Sequence, residues 1–352
     1  MTESPTGLSK SSGGPVVQPE SSGPKRRDGN AALAVMRSSV GRNAGLVVAL
    51  ALLCAIGAIT AGERFTNVDN AMTILRLAAT IGVVSIGMTF VITGGGIDLS
   101  VGAILALSSV WCTTLATQQM AQDTHWIAMV GTALAVGAGC GLVNGLLIAY
   151  GGVVPFIATL AMLASARGLA EVISNRKTQI VTVEGFEEFF DGKVLGLPMQ
   201  VWLFVLVAAV GWILLNRTTF GRRTLAVGGN PEAARLAGIN VKRHTVMLYV
   251  LVGLCCGAAA LMLVARTTTG SSTHGQLYEL DAIAAVVIGG TLLSGGRGTI
   301  VGTVFGVLIF TTLTNVFTLN NRSISEQSLL KGAVIVVAVL LQQRFASRSN
   351  TS

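Results

Sequence analysis

The side chains that could carry chemistry are few in this sequence. His125, His244 and His274 stand near the ends of apolar runs or in loops, with neither metal-ligand spacing nor a nucleophile beside them, so they build no metal site and no catalytic dyad. The five cysteines, Cys54, Cys112, Cys140, Cys255 and Cys256, fall inside apolar runs and read as buried thiols that fill space. No Gly-x-x-x-x-Gly-Lys-Ser/Thr stretch is present, so nucleotide phosphates find no cradle in this chain. Thr89, Asn144, Thr159 and Asn315, with the aromatic Phe156, do lie within apolar runs. A hydroxyl or amide there costs free energy unless it faces a cavity, and so lines a path for a polar solute, or hydrogen-bonds a neighbouring helix.

The acids fall at breaks. Asp98 follows Gly94-Gly95-Gly96 and suits the cap of the next helix, and Glu279 and Asp281 suit the same task before residue 282. With Gly95, Gly96, Gly289 and Gly290 they are the structural or gating candidates. Arg167 and Glu171, four apart on one helix face, can neutralise each other.

The most informative polar stretch runs from Gly221 to Asn240 and encodes a short helix with both ends specified. Asn230 can cap the first free N–H groups, Pro231 fits the first helical position, and Glu232 complements the positive end. Arg235 lies near the negative end and Gly238 suits a left-handed terminator. Ala233, Ala234, Leu236 and Ala237 present a small flat surface between them. So short a helix is marginal in water, which implies docking on its own membrane domain or on another protein.

The elements that must position these groups are membrane helices. With 51% hydrophobic and 11% charged residues the chain belongs in lipid, and its 43 glycines suit close helix packing there. At about 20 apolar residues per crossing, there is room for roughly ten crossings. Apolar runs fall at 44–61, 77–96, 100–120, 126–149, 153–174, 199–217, 245–265, 280–294, 299–320 and 326–343. The expected fold is therefore all-α, a polytopic integral membrane protein of about ten helices. Gly-rich breaks in 77–96, 100–120 and 280–294 mark broken or re-entrant helices.

If both termini are cytoplasmic, fifteen Lys and Arg lie inside and seven outside, six of the inner ones in 217–243. The net charge of +8 is thus a topology signal, and nucleic acid is not expected as a partner. Residues 1–43, rich in Ser, Gly and Pro, read as a disordered cytoplasmic tail, 44–344 as the membrane domain with its inner loop at 217–244, and 345–352 as a second cytoplasmic tail. The outer loop 175–198 carries Glu184, Glu187, Glu188 and Asp191, either a partner surface or simply solvated. An internal echo, Gly95-Gly96 before Val101-Gly102 and Gly295-Gly296 before Val301-Gly302, fits a duplicated fold or two tight turns that each need glycine.

Four stretches together carry a resemblance. Gly228-Gly229-Asn230-Pro231-Glu232-Ala233-Ala234 through Gly238-Ile239-Asn240-Val241 resembles the coupling loop of ribose-type sugar permeases of ABC importers. Gly87-Met88-Thr89-Phe90-Val91-Ile92 through Gly102 resembles that family's second and third spans, and Phe156-Ile157-Ala158-Thr159-Leu160 a short motif of its fifth. Tyr278 through Thr291, followed by Gly295-Gly296, is the closest match. The similarity covers about 44–344, extends to the permeases of a galactofuranose importer, and leaves branched-chain amino-acid permeases as more distant relatives.

The resemblance implies a permease subunit that moves a monosaccharide (a pentose, hexose, furanose or related polyol) into a bacterial cytoplasm across the inner membrane, and that is not itself an enzyme. It implies no cofactor on this chain, ATP and Mg being used by partner ATPase subunits, together with an extracytoplasmic sugar-binding protein and a second permease, identical or different. Coupling to the ATPase would rest on Asn230, Pro231, Glu232, Ala233, Arg235 and Gly238. An ion-coupled carrier would place ionisable groups deep in its spans, which are scarce here, and a membrane enzyme would need a catalytic cluster.

Overall fold

The computed structural model describes residues 39–347; residues 1–38 and 348–352, and with them most of the two expected tails, lie outside the described residues. The chain runs through α1 (Ser39–Ala61), α2 (Glu63–Thr66), α3 (Val68–Thr93), α4 (Val101–Cys112), α5 (Leu115–Asp123), α6 (Ile127–Ala149), α7 (Pro155–Ser174) and α8 (Phe186–Asp191). It continues through α9 (Met199–Arg217), α10 (Thr219–Gly229), α11 (Pro231–Leu236), α12 (Val241–Thr267), α13 (Tyr278–Ile288), α14 (Ile300–Leu319) and α15 (Ile324–Ser347). The strands are two residues each: β1 (Gln179–Ile180) pairs antiparallel with β4 (Thr269–Gly270), and β2 (Lys193–Val194) with β3 (Leu197–Pro198). The protein is all-α and polytopic, as its composition requires.

Helix starts are written in side chains. Asn67 accepts from the Asp69 N–H, Thr114 from Thr117, Thr218 from Gly221, Asn240 from Arg243 and Thr299 from Gly302, each satisfying a backbone donor that the first helical turn leaves free. Within the spans, hydroxyls return to the carbonyl one turn back, as Ser85 does to Ile81 (2.8 Å) and Thr311 to Val307 (2.8 Å), so they need no water.

Among the described residues α1, α3, α6, α7, α9, α12 and α14, seven helices, are long and apolar enough to cross, and α4 with α5, bent by 56° at a short break, makes an eighth. The count of ten is not confirmed. The run expected at 280–294 contains only the 11-residue α13, which ends at Gly289-Gly290. At about 1.5 Å per residue α13 spans roughly half of a ~30 Å hydrocarbon core. The run expected at 326–343 lies within the 24-residue α15.

Two helices form the centre. The most apolar stretch is 78% buried in α3 and 67% in α12, against 11% in α1. Helix α6 lies on α12 along a seam of small residues, with Gly137 facing Gly253, Gly141 facing Tyr249 and Gly145 facing Val246. A Cβ at Gly141 would stand 2.1 Å from the Tyr249 carbonyl oxygen. Dispersion between backbones at this distance replaces the hydrophobic drive that lipid cannot supply. In the 175–198 loop, α8 buries Phe186 and Phe190 around Trp126, with ring centroids 6.4 and 6.5 Å away, while Glu188 and the preceding Glu184 are exposed.

Gly141→Val is expected to overpack this seam and cost about 2 kcal/mol, lowering the melting temperature in detergent. Gly139→Ala, where a Cβ meets nothing within 4 Å, should leave it unchanged.

Candidate coupling and gating site

Where α3 ends, its last turn tightens. The N–H groups of Gly94, Gly95 and Gly96 donate to the carbonyls of Phe90, Ile92 and Val91, each at 2.9 Å. Gly95 sits at φ 85°, a left-handed conformation that favours glycine. The chain then stays tied down: the Tyr249 hydroxyl donates to the Ile97 carbonyl (3.3 Å), and Asp98 Oδ1 accepts from both the N–H (2.8 Å) and the hydroxyl of Ser100. Asn144 Nδ2 donates to Ser100 Oγ (2.9 Å), so α6 also holds the start of α4. Asp98 therefore does not cap α4 itself, the role its place in the sequence suggests: it holds Ser100, which occupies the cap position without a side-chain bond of its own.

The second break differs from expectation. Helix α13 begins at Tyr278, its cap residue Leu277 offers no side-chain bond, and Glu279 and Asp281 fall inside the first turn instead of ahead of it. The earlier start turns Asp281 towards α15, where Lys331 Nζ meets both its oxygens at 3.1 Å and lies 5.1 Å from the Phe310 ring centroid. Asp281 is therefore an ion-pair partner and not a cap. Gly289 packs on Gly302, Gly290 turns at φ 89°, and the following turn is closed by Leu292 N–H to the Arg297 carbonyl (3.0 Å) and Thr299 N–H to Thr291 Oγ1 (3.2 Å).

The expected Arg167–Glu171 pair is not formed. Glu171 accepts from Arg176 Nε (2.9 Å), and Arg167 donates to the carbonyls of Ser272 and His274, the latter at 2.8 Å. A planar guanidinium reaching two acceptors serves the loop after β4, whose carbonyls have left any helix.

In the 217–243 loop the short helix is found with its expected ends. Asn230 Oδ1 accepts from the Ala233 N–H (3.0 Å), Pro231 opens α11, and Gly238 follows it at φ 80°. Only Ala234 of α11 is buried; Glu232, Ala233 and Arg235 are exposed, and Leu236 is 88% exposed. Helix α10 was not expected, because Gly221, Gly228 and Gly229 suggest turns. Its signal was Thr218 as a cap and a buried stripe at Gly221, Thr224 and Val227. Phe220 stacks near Phe90 (6.0 Å) and His244 (4.7 Å), and Thr224 Oγ1 lies 2.9 Å from His244 Nε2.

The end of α10 is wedged between the end of α3 and the turn before α14. A Cβ at Gly228 would stand 1.8 Å from the Thr93 carbonyl oxygen and 2.7 Å from the Gly296 nitrogen. The Gly296 N–H donates to that same Thr93 carbonyl (2.9 Å), and a Cβ at Gly295 would meet Gly228 O at 2.7 Å and Gly95 Cα at 2.9 Å. Three Gly-Gly pairs, 95–96, 228–229 and 295–296, therefore share one backbone junction. The two echoing turns meet there, which the sequence echo alone did not reveal.

The polar candidates are spread around it. Thr89 bonds the Thr303 hydroxyl (2.8 Å), Asn144 bonds Ser100, Thr159 returns to the Pro155 carbonyl (2.9 Å), and Asn315 pairs with Asn70 (2.8 Å). Phe156 is 54% exposed. Among the described residues no hydrogen bond joins one of these five to another. Two grooves, about 350 and 280 Å³, are lined almost wholly by apolar side chains, Leu107, Trp111 and Val136 in one and Val83, Phe90 and Leu206 in the other.

The bundle of membrane-length helices makes the chain a multi-pass membrane protein. The chain belongs to the family described as branched-chain amino acid transport system / permease component, whose model matches residues 70–339. It is a transporter permease component and not an enzyme. It is 47% identical over 277 residues to the ribose import permease protein RbsC of Bacillus subtilis, covering 78% of this chain and 85% of that one. It is 39% identical over 305 residues to RbsC of Escherichia coli K12 (85% and 92%), and 36% over 333 residues to the L-arabinose ABC transporter permease protein AraH of Azospirillum brasilense (93% and 96%). No solved structure matches.

Breaking the Asp281–Lys331 pair by Asp281→Asn or Lys331→Met leaves one buried charge alone and is expected to cost roughly 3 kcal/mol each. The double variant should be less destabilised than the sum, measured as a double-mutant cycle of melting in detergent.

Proposed function

We propose that this chain is the membrane subunit of an ATP-driven importer of a monosaccharide, coupled through α11 to separate ATPase subunits that use ATP and Mg. The observation that carries the reading is a capped six-residue helix, held to the membrane domain by α10, that turns Glu232, Ala233, Arg235 and Leu236 outward, uncovered among the described residues. A helix too short to stand alone, presented in this way, suits a soluble partner that pushes on it. The relatives, a ribose import permease and an L-arabinose ABC transporter permease, support a pentose or similar monosaccharide as the cargo.

Membership of a transport-system permease family, with an ABC transporter permease among the relatives, supports a second permease subunit, identical or different. An extracytoplasmic binding protein would deliver the sugar on the opposite face. The six basic residues of 217–243 favour a cytoplasmic inner loop, with both termini on that side of a bacterial inner membrane.

The test is purification of the tagged chain in mild detergent, followed by ATPase assays with binding proteins loaded with ribose, arabinose or allose. Co-isolation of an ATPase stimulated by one loaded binding protein is expected; sugar transport by the isolated chain without ATP would contradict the reading. Glu232→Lys should insert normally and abolish transport.

A further inference from the structure

We infer that Gly228 is the positioning residue through which the loop helix α10 acts on both helix breaks at once, making the Gly95-Gly96 and Gly295-Gly296 turns a single paired hinge. This rests on the importer reading and adds to it the route by which movement of the loop enters the membrane domain.

The geometry leaves little slack. At Gly228 the nearest atoms to a side chain would be backbone, the Thr93 carbonyl oxygen at 1.8 Å and the Gly296 nitrogen at 2.7 Å, so neither neighbour can rotate aside as a side chain would. The two turns are themselves joined by the Gly296 N–H to Thr93 carbonyl bond (2.9 Å). A Cβ at Gly298 would stand 1.9 Å from the Thr93 hydroxyl, so the second turn grips the end of α3 at two points.

From this grip a line of hydroxyls runs into the bundle. Thr93 Oγ1 donates to the Thr89 carbonyl, Thr89 Oγ1 meets Thr303 Oγ1 (2.8 Å), and Thr303 Oγ1 donates to the Thr299 carbonyl (3.0 Å) at the start of α14. Behind Gly228, α10 is braced by Thr224 on His244 (2.9 Å) and by Gly221, where a Cβ would be 2.0 Å from the Leu215 carbonyl oxygen. A displacement of α10 therefore cannot bypass the junction: it presses on the end of α3 and on the turn before α14 together. Packed backbones of this kind switch between discrete arrangements more readily than they deform.

The experiment uses the full chain assembled with its co-purified ATPase and binding protein. Hydrogen exchange of the unaltered complex is compared with and without a non-hydrolysable ATP analogue. Peptides covering 93–98 and 291–298 are expected to change protection together with 226–230. Gly228→Ala is expected to keep the ATPase bound and hydrolysing, yet lower uptake and the stimulation by loaded binding protein by roughly tenfold or more, while Gly139→Ala behaves as the parent.

A change at 226–230 that leaves either turn unaltered, or full coupled uptake by Gly228→Ala, overturns the inference while the importer reading stands. If Gly228→Ala fails to fold, the exchange comparison decides alone. If the unaltered chain shows no ATPase partner or no ATP-dependent uptake, both readings fall.

Discussion

Every backbone N–H and C=O released where a helix ends inside a packed protein must find a partner, because a buried polar group without one is costly. This constraint organises the structure. At the first break the freed groups are taken up by tight turns over Phe90, Val91 and Ile92, by Tyr249, and by Asp98 with Ser100. At the second they are taken up by Thr93, Thr291 and Arg297, and the extended loop after β4 is held by Arg167. Glycine is the recurrent means, since it lets an acceptor approach to where a side chain would otherwise stand.

The same constraint explains what could be read in the sequence. Helix type, the outward helix with its Asn230, Pro231 and Gly238 ends, and the presence of breaks after Gly94 and around Gly289 all follow from local residue chemistry. What could not be read is partnership. Arg167 has an acid one turn away in Glu171, yet bonds carbonyls more than a hundred positions distant. Asp281 has the chemistry of a cap, yet its charge is answered by Lys331 from α15. Helix α10 was hidden because its glycines look like turn residues in isolation, whereas Gly228 is there for the close approach to Thr93 and Gly296 and Gly221 for the approach to Leu215.

The candidate polar residues illustrate the same limit. Thr89, Thr159, Asn144 and Asn315 each have a hydrogen-bond partner within the chain, so residue type at membrane depth identified groups that need partners without showing whether a solute is one of them. Under the proposed importer reading α11 would face a soluble motor, and the glycine junction lies behind it, where α10 meets the end of α3 and the turn before α14.

The most direct test of this account is a pair of cryo-electron microscopy structures of the assembled transporter, one nucleotide-free and one nucleotide-bound. The account predicts that Gly228 stays in backbone contact with Thr93 and Gly296 in both, while the two turns shift together relative to the α6–α12 seam. A loop that moves while both turns stay fixed against that seam would contradict it.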